Sequence, residues 1–277
     1  MRIGVVGGGV VGRATARCYM EHSEVKVYDI VKERSTHTLE ETLGSDLVFV
    51  CLPTPIGNKE GADVSALIDF FSFAASYHAS VNYVLRSTVP IGTTKKLADS
   101  FNLSNLVHSP EFLTARCAVT DAQLPARNII GDPGIPYPAD EFGDKFPESR
   151  KLLHGLYDKR FPGVPVLVMS SSESEAVKLF QNSFFAVKVA FFNEINELSE
   201  RLKLDWDRVL AGMLSDGRIA HAHTKVPGPD GKYGFGGECL VKDLANMISH
   251  DPSSVSRSLV PVCRAAFNRN QWDRARS

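Results

Sequence analysis

The sequence starts with a β-branched run that leads into a glycine-rich turn, Arg2-Ile3-Gly4-Val5-Val6-Gly7-Gly8-Gly9-Val10-Val11-Gly12. This order predicts a buried strand, a tight turn and the first turn of a helix. The glycines match the pattern GxGxxG, in which the backbone can approach a diphosphate closely and the N–H groups of the helix bind it. The sequence therefore predicts a dinucleotide site formed by Gly7, Gly9, Val10, Val11 and Gly12.

The choice between NAD and NADP depends on the end of the second predicted strand, residues 24–29. Asp29 lies 17 residues past Gly12, where a carboxylate accepts hydrogen bonds from both ribose hydroxyls of NAD and repels a 2′-phosphate. Arg34 follows closely and is a cation that could accommodate that phosphate. We expect NAD as the cofactor and keep NADP as the alternative.

Composition restricts the class of protein. A chain of 277 residues with 43% hydrophobic and 23% charged residues is typical of a globular protein of two domains. The net charge of -1 gives no reason to expect nucleic acid, and no apolar run is long enough to span a membrane. Because no secretory signal is visible and the cysteines are odd in number, with no CxxC pair, we expect a cytoplasmic protein without disulfides or a metal site.

Alternating strands and helices predict an α/β fold. Short β-branched runs occur at residues 2–6, 24–29, 47–52, 82–86, 105–108 and 127–130. With helical stretches between them they predict a Rossmann-like, doubly wound parallel sheet in a cofactor domain of residues 1–169. The Pro- and Gly-rich residues 131–147 are predicted to form a surface loop.

A mainly helical domain is predicted for residues 170–277. Its longest helix covers residues 170–203, and shorter helices cover residues 205–214 and 239–249. Apolar residues recur along the long helix at three- and four-residue steps: Phe180, Phe184, Val187, Phe191, Ile195 and Leu198. We interpret this stripe as core packing.

The segment around Cys239 is the most informative for chemistry. It reads Gly234-Phe235-Gly236-Gly237-Glu238-Cys239-Leu240-Val241-Lys242-Asp243. Glycines remove bulk around the cysteine, and a helix predicted to begin there favours the thiolate. Lys242 and Asp243 act on the thiol in opposite directions. A buried structural cysteine is the alternative interpretation.

Two residues of the long helix provide donors. Lys178 and Asn182 lie four residues apart and therefore on one face, where a cation and an amide could stabilise a developing oxyanion. The alternative is an ordinary pair on the solvated surface.

Six segments in this order resemble the UDP-glucose and GDP-mannose dehydrogenase family. They are the glycine turn, Cys51-Leu52-Pro53-Thr54-Pro55, Arg86-Ser87-Thr88-Val89-Pro90-Ile91-Gly92-Thr93, Ser109-Pro110-Glu111-Phe112-Leu113, the helix from Lys178 through Asn193-Glu194, and the Cys239 segment. The resemblance implies a four-electron oxidation of a nucleotide sugar, UDP-glucose first among them, with two NAD used in succession.

The resemblance also implies roles for individual residues. Cys239 would trap the aldehyde as a thiohemiacetal that is oxidised to a thioester, while Lys178 and Asn182 would stabilise the oxyanion. Asp243 would assist with a water, and Glu111, with Thr88 nearby, would activate water for hydrolysis. Cofactor-facing positions are implied for Thr54, Ser87, Thr88 and Lys242. Substrate-facing positions are implied for Glu111, Phe112, Leu113, Lys178, Asn182, Arg218 and Gly236, with Arg218 reaching the substrate of a neighbouring subunit.

The sequence departs from the family in two places. Ala115 occupies a position where the family often has a second glutamate, and most of the C-terminal nucleotide-binding domain of the family is expected to be absent. The turn-rich residues 226–232 could then bind the nucleotide. Alternatives are a GDP-mannose type of dehydrogenase, a catalytically silent protein that binds NAD or a nucleotide sugar, and a hydroxyacid dehydrogenase, which would have no use for Cys239.

Aromatic residues on the long helix predict an assembly. Phe184, Phe185, Phe191 and Phe192 cover more of the helix circumference than one packing face requires. We expect a two-fold homodimer through this helix. The alternative is that elements of the same chain cover both faces.

Overall fold

A computed structural model describes residues 1–57, 61–77, 80–135, 147–251, 253 and 258–276. Contacts divide the chain into two compact units. The sheet unit contains Met1–Thr54 and Asp63–Lys178, and the helical unit contains Pro55–Ala62 and Leu179–Ser277.

The sheet unit is built on seven strands: β1 Arg2–Val6, β2 Glu24–Tyr28, β3 Leu47–Val50, β4 Tyr83–Leu85, β5 Leu106–His108, β6 Asn128–Asp132 and β7 Val166–Ser170. Their order across the sheet is β2-β1-β3-β4-β5-β6-β7. The first five strands in sequence pair in parallel, and β6 pairs with β7 in parallel. The doubly wound α/β class predicted from the sequence is confirmed.

One strand direction differs from the prediction. β6 pairs antiparallel with β5 through His108 and Gly131, so the sheet is mixed rather than fully parallel. An antiparallel neighbour needs no crossover over a face of the sheet, and the connection between these strands contains a 3-10 turn, Ala115–Cys117, and a short helix, Ala118–Gln123. β7 was missed in the sequence analysis, and β6 extends into Gly131 and Asp132, which the sequence analysis placed in a loop. Residues 136–146 of that predicted loop lie outside the described residues.

Helices cover both faces of the sheet. They are α1 Val10–Tyr19, α2 Leu39–Leu43, α3 Ser65–Tyr77, α4 Thr93–Phe101, α5 Ala118–Gln123 and α6 Glu148–Arg160. Alternate residues of β3 enter different cores: Phe49 packs with α1 and α6 residues, whereas Val48 and Val50 pack with α3 and α4 residues. Burial on both faces explains why the strands read as continuous apolar runs.

The strand order reverses at β1, whose neighbours are β2 on one side and β3 on the other. The chain therefore leaves the carboxyl ends of β1 and β3 in opposite directions, and the gap between these connections is where open α/β sheets bind ligands. The first glycine turn, residues 7–12, lies at this position.

The helical unit contains most of α7 Ser171–Arg201, together with α8 Trp206–Leu214, α9 Glu238–Ser249 and α10 Pro261–Ala275. The first three of these helices were predicted from the sequence to within two residues at each end, whereas α10 was not predicted. α7 ends where Lys203 adopts a left-handed conformation, with φ of 56°. Of the described residues, none belongs to a helix with both the length and the apolar character needed to cross a membrane.

Four of the six residues of the predicted apolar stripe of α7 are exposed, so its interpretation as core packing was wrong for most of the stripe. Val187 does pack against the core of the helical unit, and Ile195 is half-buried. Phe180, Phe184, Phe191 and Leu198 are between 50% and 62% exposed. The buried positions of α7 in the helical unit instead hold mainly small and amide side chains, among them Ala186, Ala190, Asn193, Asn196 and Ser199. Periodicity identified an apolar face correctly, but the face that packs on α9 and α10 carries small side chains: Ala186 and Ala190 contact the core formed by Leu244, Ile248 and Ala266.

Candidate active site

The first glycine turn is required by space as well as by conformation. Gly7 has a φ of 100°, and a Cβ there would lie 2.4 Å from the carbonyl oxygen of Cys51, which follows β3. A Cβ at Gly12 would lie 1.7 Å from the carbonyl oxygen of Gly7. Both contacts are to backbone that cannot move aside, so only glycine fits at these two positions.

The start of α1 is open toward a ligand. Gly9 is its N-cap. In the part of the chain that the structure describes, no side chain caps the first turn, and no neighbouring atom lies within 4 Å of the space that a Gly9 side chain would enter. The first N–H groups of α1, including those of Val10 and Val11, therefore keep the capacity to bind an anion. A glycine cradle beside uncapped helix donors fits the diphosphate of a dinucleotide.

Asp29 immediately follows β2 and faces the glycine turn. Its Oδ2 accepts from the N–H of Gly8 at 2.6 Å, and its Oδ1 accepts from the N–H of Val31 at 2.8 Å. Arg34 packs against the same turn, because its Cβ lies 2.9 Å from where a Gly8 side chain would begin. The acidic and basic residues that the sequence analysis weighed for cofactor choice thus lie beside one turn.

Two hydroxyls connect the loops that follow β3 and β4. Thr54 Oγ1 donates to the carbonyl of Thr88 at 2.7 Å, and Ser87 Oγ donates to the carbonyl of Leu52 at 2.6 Å. Both hydroxyl side chains are buried, while Thr88 is half-buried. These residues, implied to face the cofactor, fix the two loops to each other at the carboxyl edge of the sheet.

A buried ion pair occupies the sheet unit at the start of α7. Lys178 Nζ donates to Glu111 Oε1 at 2.9 Å, and the two side chains are only 5% and 9% exposed, which rules out a solvated surface position for Lys178. Burial alone would raise the pKa of Glu111, but the charge of Lys178 and the N–H of Leu113 outweigh it and hold this pKa below its usual value. Glu111 is therefore a carboxylate at neutral pH, able to accept a proton from water.

Phe112 carries two cations on its ring. The guanidinium carbon of Arg127 lies 4.2 Å from the ring centroid and Lys178 Nζ lies 5.6 Å from it. Phe112 and Leu113 are half-buried. The aromatic ring thereby helps to hold Lys178 beside Glu111.

A second polar cluster lies in the helical unit. Asn182 Nδ2 donates to Asp243 Oδ2 at 2.6 Å, and Lys242 Nζ donates to Asp243 Oδ1 at 2.5 Å. Asn182 and Asp243 are buried, whereas Lys242 is partly exposed. Each donor predicted for an oxyanion, Lys178 or Asn182, is thus paired with a carboxylate in this structure.

Cys239 is exposed at the second position of α9, so the buried-cysteine interpretation does not hold. Gly237 is the N-cap of α9 with a φ of 79°, and Gly234 has a φ of 70°. Within the described part of the chain, which includes all five cysteines, there is no disulfide. The thiol is accessible and stands at the positive end of a helix.

Other predicted positions lie on the surface. Arg218 is 89% exposed and pairs with its neighbour Asp216. Ala115 is exposed at the start of a 3-10 turn, Ala115–Cys117. Within residues 226–232, Gly228 and Lys232 form a backbone hydrogen bond of 2.8 Å that closes a turn. Three or more side chains arranged to hold a metal ion were not found among the described residues.

Several buried ionisable residues were not identified from the sequence, among them Glu175 and His108. Glu175 accepts from the N–H and hydroxyl of Thr94, at 2.7 and 2.6 Å, and from the N–H of Gly92, and burial raises its pKa to about 7. Burial lowers the pKa of His108 to about 3, and its Nδ1 lies 2.8 Å from Ser174 Oγ. Glu175 shares a face of α7 with Lys178, three residues later, and this spacing could have identified it.

The comparisons with known proteins agree with this geometry. Residues 32–134 match the NAD binding domain of the UDP-glucose/GDP-mannose dehydrogenase family, and residues 172–271 match its central domain. The chain belongs to this family. Its sheet unit is thus an NAD-binding domain of that family.

Two relatives and one solved structure show the extent of the similarity. The chain is 30% identical over 239 residues to the UDP-glucose 6-dehydrogenase of Campylobacter jejuni, covering 84% of this chain and 57% of that protein. It is 28% identical over 281 residues to that of Streptococcus pneumoniae, covering 89% and 68%. A UDP-glucose dehydrogenase from Pyrobaculum islandicum has the same fold, with a TM-score of 0.81 at 24% identity over 98% of this chain and 68% of that one. The chain thus spans little more than half the length of the Campylobacter jejuni relative.

Proposed function

We propose that this chain carries out an NAD-dependent, four-electron oxidation of the primary alcohol of a nucleotide sugar to a carboxylate, with UDP-glucose as substrate. The observation that carries the proposal is the pair of buried clusters on α7, Lys178 with Glu111 and Asn182 with Asp243. Burying charges is unfavourable unless they are paired or have a chemical use. Family membership supports the same reaction.

The residues fit NAD. Gly7, Gly9 and Gly12 with the start of α1 would hold its diphosphate, and Asp29 would accept from its ribose hydroxyls. Bound NAD supplies a hydride acceptor for each of the two oxidations. Thr54 and Ser87 would keep the neighbouring loops in place through the carbonyls to which they donate.

Cys239 would hold the substrate between the two oxidations. Its thiolate adds to the aldehyde carbon to form a C–S bond, and the resulting thiohemiacetal becomes a thioester when it is oxidised. Water then attacks the thioester, the C–S bond breaks, and the carboxylate leaves while the thiolate is restored. The aldehyde thus stays bound until the second oxidation.

Lys178 and Asn182 would donate to the oxygen that becomes negative in the adduct. Since each donates to a carboxylate in the present structure, each must exchange that carboxylate for the substrate oxygen. The exchange would leave Glu111 and Asp243 as proton acceptors for the water that hydrolyses the thioester, with Thr88 assisting Glu111. Phe112, Leu113, Gly236 and Arg218, the last from a neighbouring subunit, would contact the sugar nucleotide.

The test is a panel of nucleotide sugars, including UDP-glucose and GDP-mannose, assayed with NAD and with NADP by absorbance of the reduced cofactor. We expect two reduced cofactors for each UDP-glucose and release of the uronic acid. If only one cofactor is reduced for each sugar, the reaction is a two-electron oxidation of the alcohol and not the proposed four-electron oxidation. If NAD binds but no sugar is turned over, the result would favour a catalytically silent binding protein, the alternative that Ala115 suggests.

We also propose that the chain forms a homodimer through α7. The exposed residues Phe180, Phe184, Phe191, Leu198 and Leu202 follow one another at steps of four, seven, seven and four, so they form one stripe along the helix. The helix carries two pairs of adjacent phenylalanines, Phe184-Phe185 and Phe191-Phe192. Of these, Phe192 is buried, and Phe185 stacks on His223 with ring centroids 4.4 Å apart. Phe184 and Phe191 are left for a partner, and a second copy offers the same stripe.

Light scattering tests the dimer. We expect twice the chain mass of 30.4 kDa for the unmodified protein, and 30.4 kDa for Phe184→Ser with Phe191→Ser. Leu124→Ser is the matched control, because Leu124 is 76% exposed in the sheet unit. An active unmodified protein with a mass of 30.4 kDa at micromolar concentration would contradict the dimer and the role of Arg218 in it.

A further inference from the structure

The second glycine turn, residues 234–237, is held by amide side chains from two helices. Asn193 Oδ1 on α7 accepts from the N–H of Gly234 at 2.9 Å, and Asn270 Oδ1 on α10 accepts from the N–H of Phe235 at 2.7 Å. Both asparagines are buried, and the Phe235 ring packs in the core of the helical unit. The first half of the turn is therefore fixed before it reaches Gly236.

An ion pair between Arg274 and Asp230 lies next to Gly236. Arg274 Nη1 donates to Asp230 Oδ2 at 2.8 Å. A Cβ at Gly236 would lie 2.2 Å from Arg274 Nη2 and 2.9 Å from Asp230 Oδ2. The guanidinium thus lies directly beside the backbone of Gly236, and a side chain at this position would have to displace it.

The other side of this turn is open. Among the described residues, no neighbouring atom lies within 4 Å of the space that a side chain at Gly237 would enter, and Gly237 is the N-cap of α9. Glycine has the largest conformational freedom of any residue, so Gly236 and Gly237 need an external contact to hold one conformation. At Gly236 that contact is Arg274, while α10 itself is anchored to α7 by Arg269, which donates to Glu197 at 2.9 Å.

We propose that Arg274, held by Asp230, is a positioning residue for Cys239. By fixing Gly236 it fixes the start of α9, and so keeps the N–H donors of its first turn directed at the thiolate of Cys239. The inference rests on the proposed function, which gives this thiol its role. Arg274, in α10, would act on Cys239 through the turn and would contact no reacting atom.

A merely structural role makes a different prediction. The Arg274 and Asp230 side chains are 28% and 45% exposed, and partly exposed ion pairs contribute little to the free energy of folding. Their removal should therefore change the reactivity of Cys239 while the unfolding midpoint stays constant. Because a double change removes one contact and not two, its effect should not exceed that of either single change.

The experiment measures alkylation of Cys239 by iodoacetamide as a function of pH, read peptide by peptide by mass spectrometry. Exposed Cys117 in the sheet unit is the internal reference. Arg274→Met and Asp230→Asn should each slow alkylation of Cys239 threefold or more at neutral pH and move its pH profile upward. The double variant should behave as the single ones, Arg274→Lys should restore most of the rate, and Gln271→Ala, exposed on the same helix, should have no effect.

Unchanged ratios of Cys239 to Cys117 alkylation in both single variants would overturn the proposal. So would additive effects, or an unfolding midpoint that falls in step with the rate, since the pair would then belong to folding alone. Alkylation needs neither sugar nor cofactor, so it separates this proposal from the proposed function. A chain that oxidises no nucleotide sugar but shows the coupled rates would lose its proposed reaction and keep the positioning of its thiol.

Discussion

The two glycine turns of this chain are held in different ways. In the first, a Gly12 side chain would meet the carbonyl of Gly7, and a Gly7 side chain would meet that of Cys51. In the second, a Gly234 side chain would meet Asn270 Oδ1 at 2.4 Å, and a Gly236 side chain would meet Arg274 Nη2. Backbone of the turn itself and of the residue that follows β3 surrounds the first turn, whereas side chains from a helix some 35 residues later surround the second.

This difference determines how well each turn should tolerate substitution. A turn enclosed by backbone is a property of the fold and should tolerate no substitution. A turn enclosed by side chains can adapt when those side chains move, and its geometry depends on distant residues. The cofactor turn is therefore a rigid feature, while the turn before Cys239 is adjustable by substitutions elsewhere.

Cys239→Ala is expected to affect the functions of the two turns most differently. Formation of the carboxylate should fall by on the order of a thousandfold or more, because the nucleophile is lost. NAD should bind as before, since the first turn is untouched. Steady-state kinetics and calorimetric titration with NAD measure the two effects, and carboxylate formed at the unmodified rate would exclude the covalent route.

Substitution of Gly12 tests the rigidity of the first turn. Gly12→Ala places a Cβ 1.7 Å from the Gly7 carbonyl and should lower the free energy of unfolding by about 3 kcal/mol, the upper end of overpacking costs. Gly155→Ala is the control, since nothing lies within 4 Å of that site in α6. It should raise the free energy of unfolding by about 0.5 to 1 kcal/mol. Equal urea unfolding midpoints for the two variants would show that the first turn can adapt to a side chain, as the second is expected to do.

Much of the first turn could be predicted from the sequence and little of the second. A strand, a GxGxxG turn and a helix are local patterns, and so is the α7 face that carries Lys178 and Asn182. Their partners, Glu111 and Asp243, lie 67 and 61 residues away, and only the fold brings them together. The stripe at Phe184 was misassigned because periodicity shows that a face is apolar and cannot show what covers it. α10 was missed because charged and amide side chains make up seven of its 15 residues and interrupt its apolar positions.

The first two turns of α7 belong to the sheet unit, where Glu175 accepts hydrogen bonds from Gly92 and Thr94. Burial raises the pKa of Glu175 to about 7, so the folded state keeps a proton that the unfolded state releases near its ordinary value of 4.5. Between these values the free energy of unfolding therefore falls as pH rises, by at most about 3 kcal/mol. His108 acts in the opposite direction between pH 3 and 6.5, because burial lowers its pKa to about 3.

Glu175→Gln should remove one of these opposing effects. The free energy of unfolding of the variant should rise with pH from 4.5 to 6.5, driven by His108, where that of the unmodified protein stays nearly level. Urea unfolding across this range measures both curves. Glu200→Gln, exposed on the same helix, should leave the curve unchanged, and parallel curves for Glu175→Gln and the unmodified protein would contradict the assignment.

The smallest expected effect concerns Asp29, a side chain directly after β2 that contacts the first turn. Asp29 accepts from the N–H of Gly8 and is expected to favour NAD over NADP by about 1 to 3 kcal/mol, since a 2′-phosphate would meet its charge and lose the ribose hydrogen bonds. Asp29→Asn keeps the shape and one acceptor oxygen, so NADP should bind more tightly relative to NAD while the turn stays folded. Arg34→Ala is the paired variant, because Arg34 packs on the same turn and could serve a phosphate. Dissociation constants for both cofactors, measured for all three proteins, decide the matter: equal affinities in the unmodified protein, with NADP binding lost in Arg34→Ala, would transfer the choice of cofactor from Asp29 to Arg34.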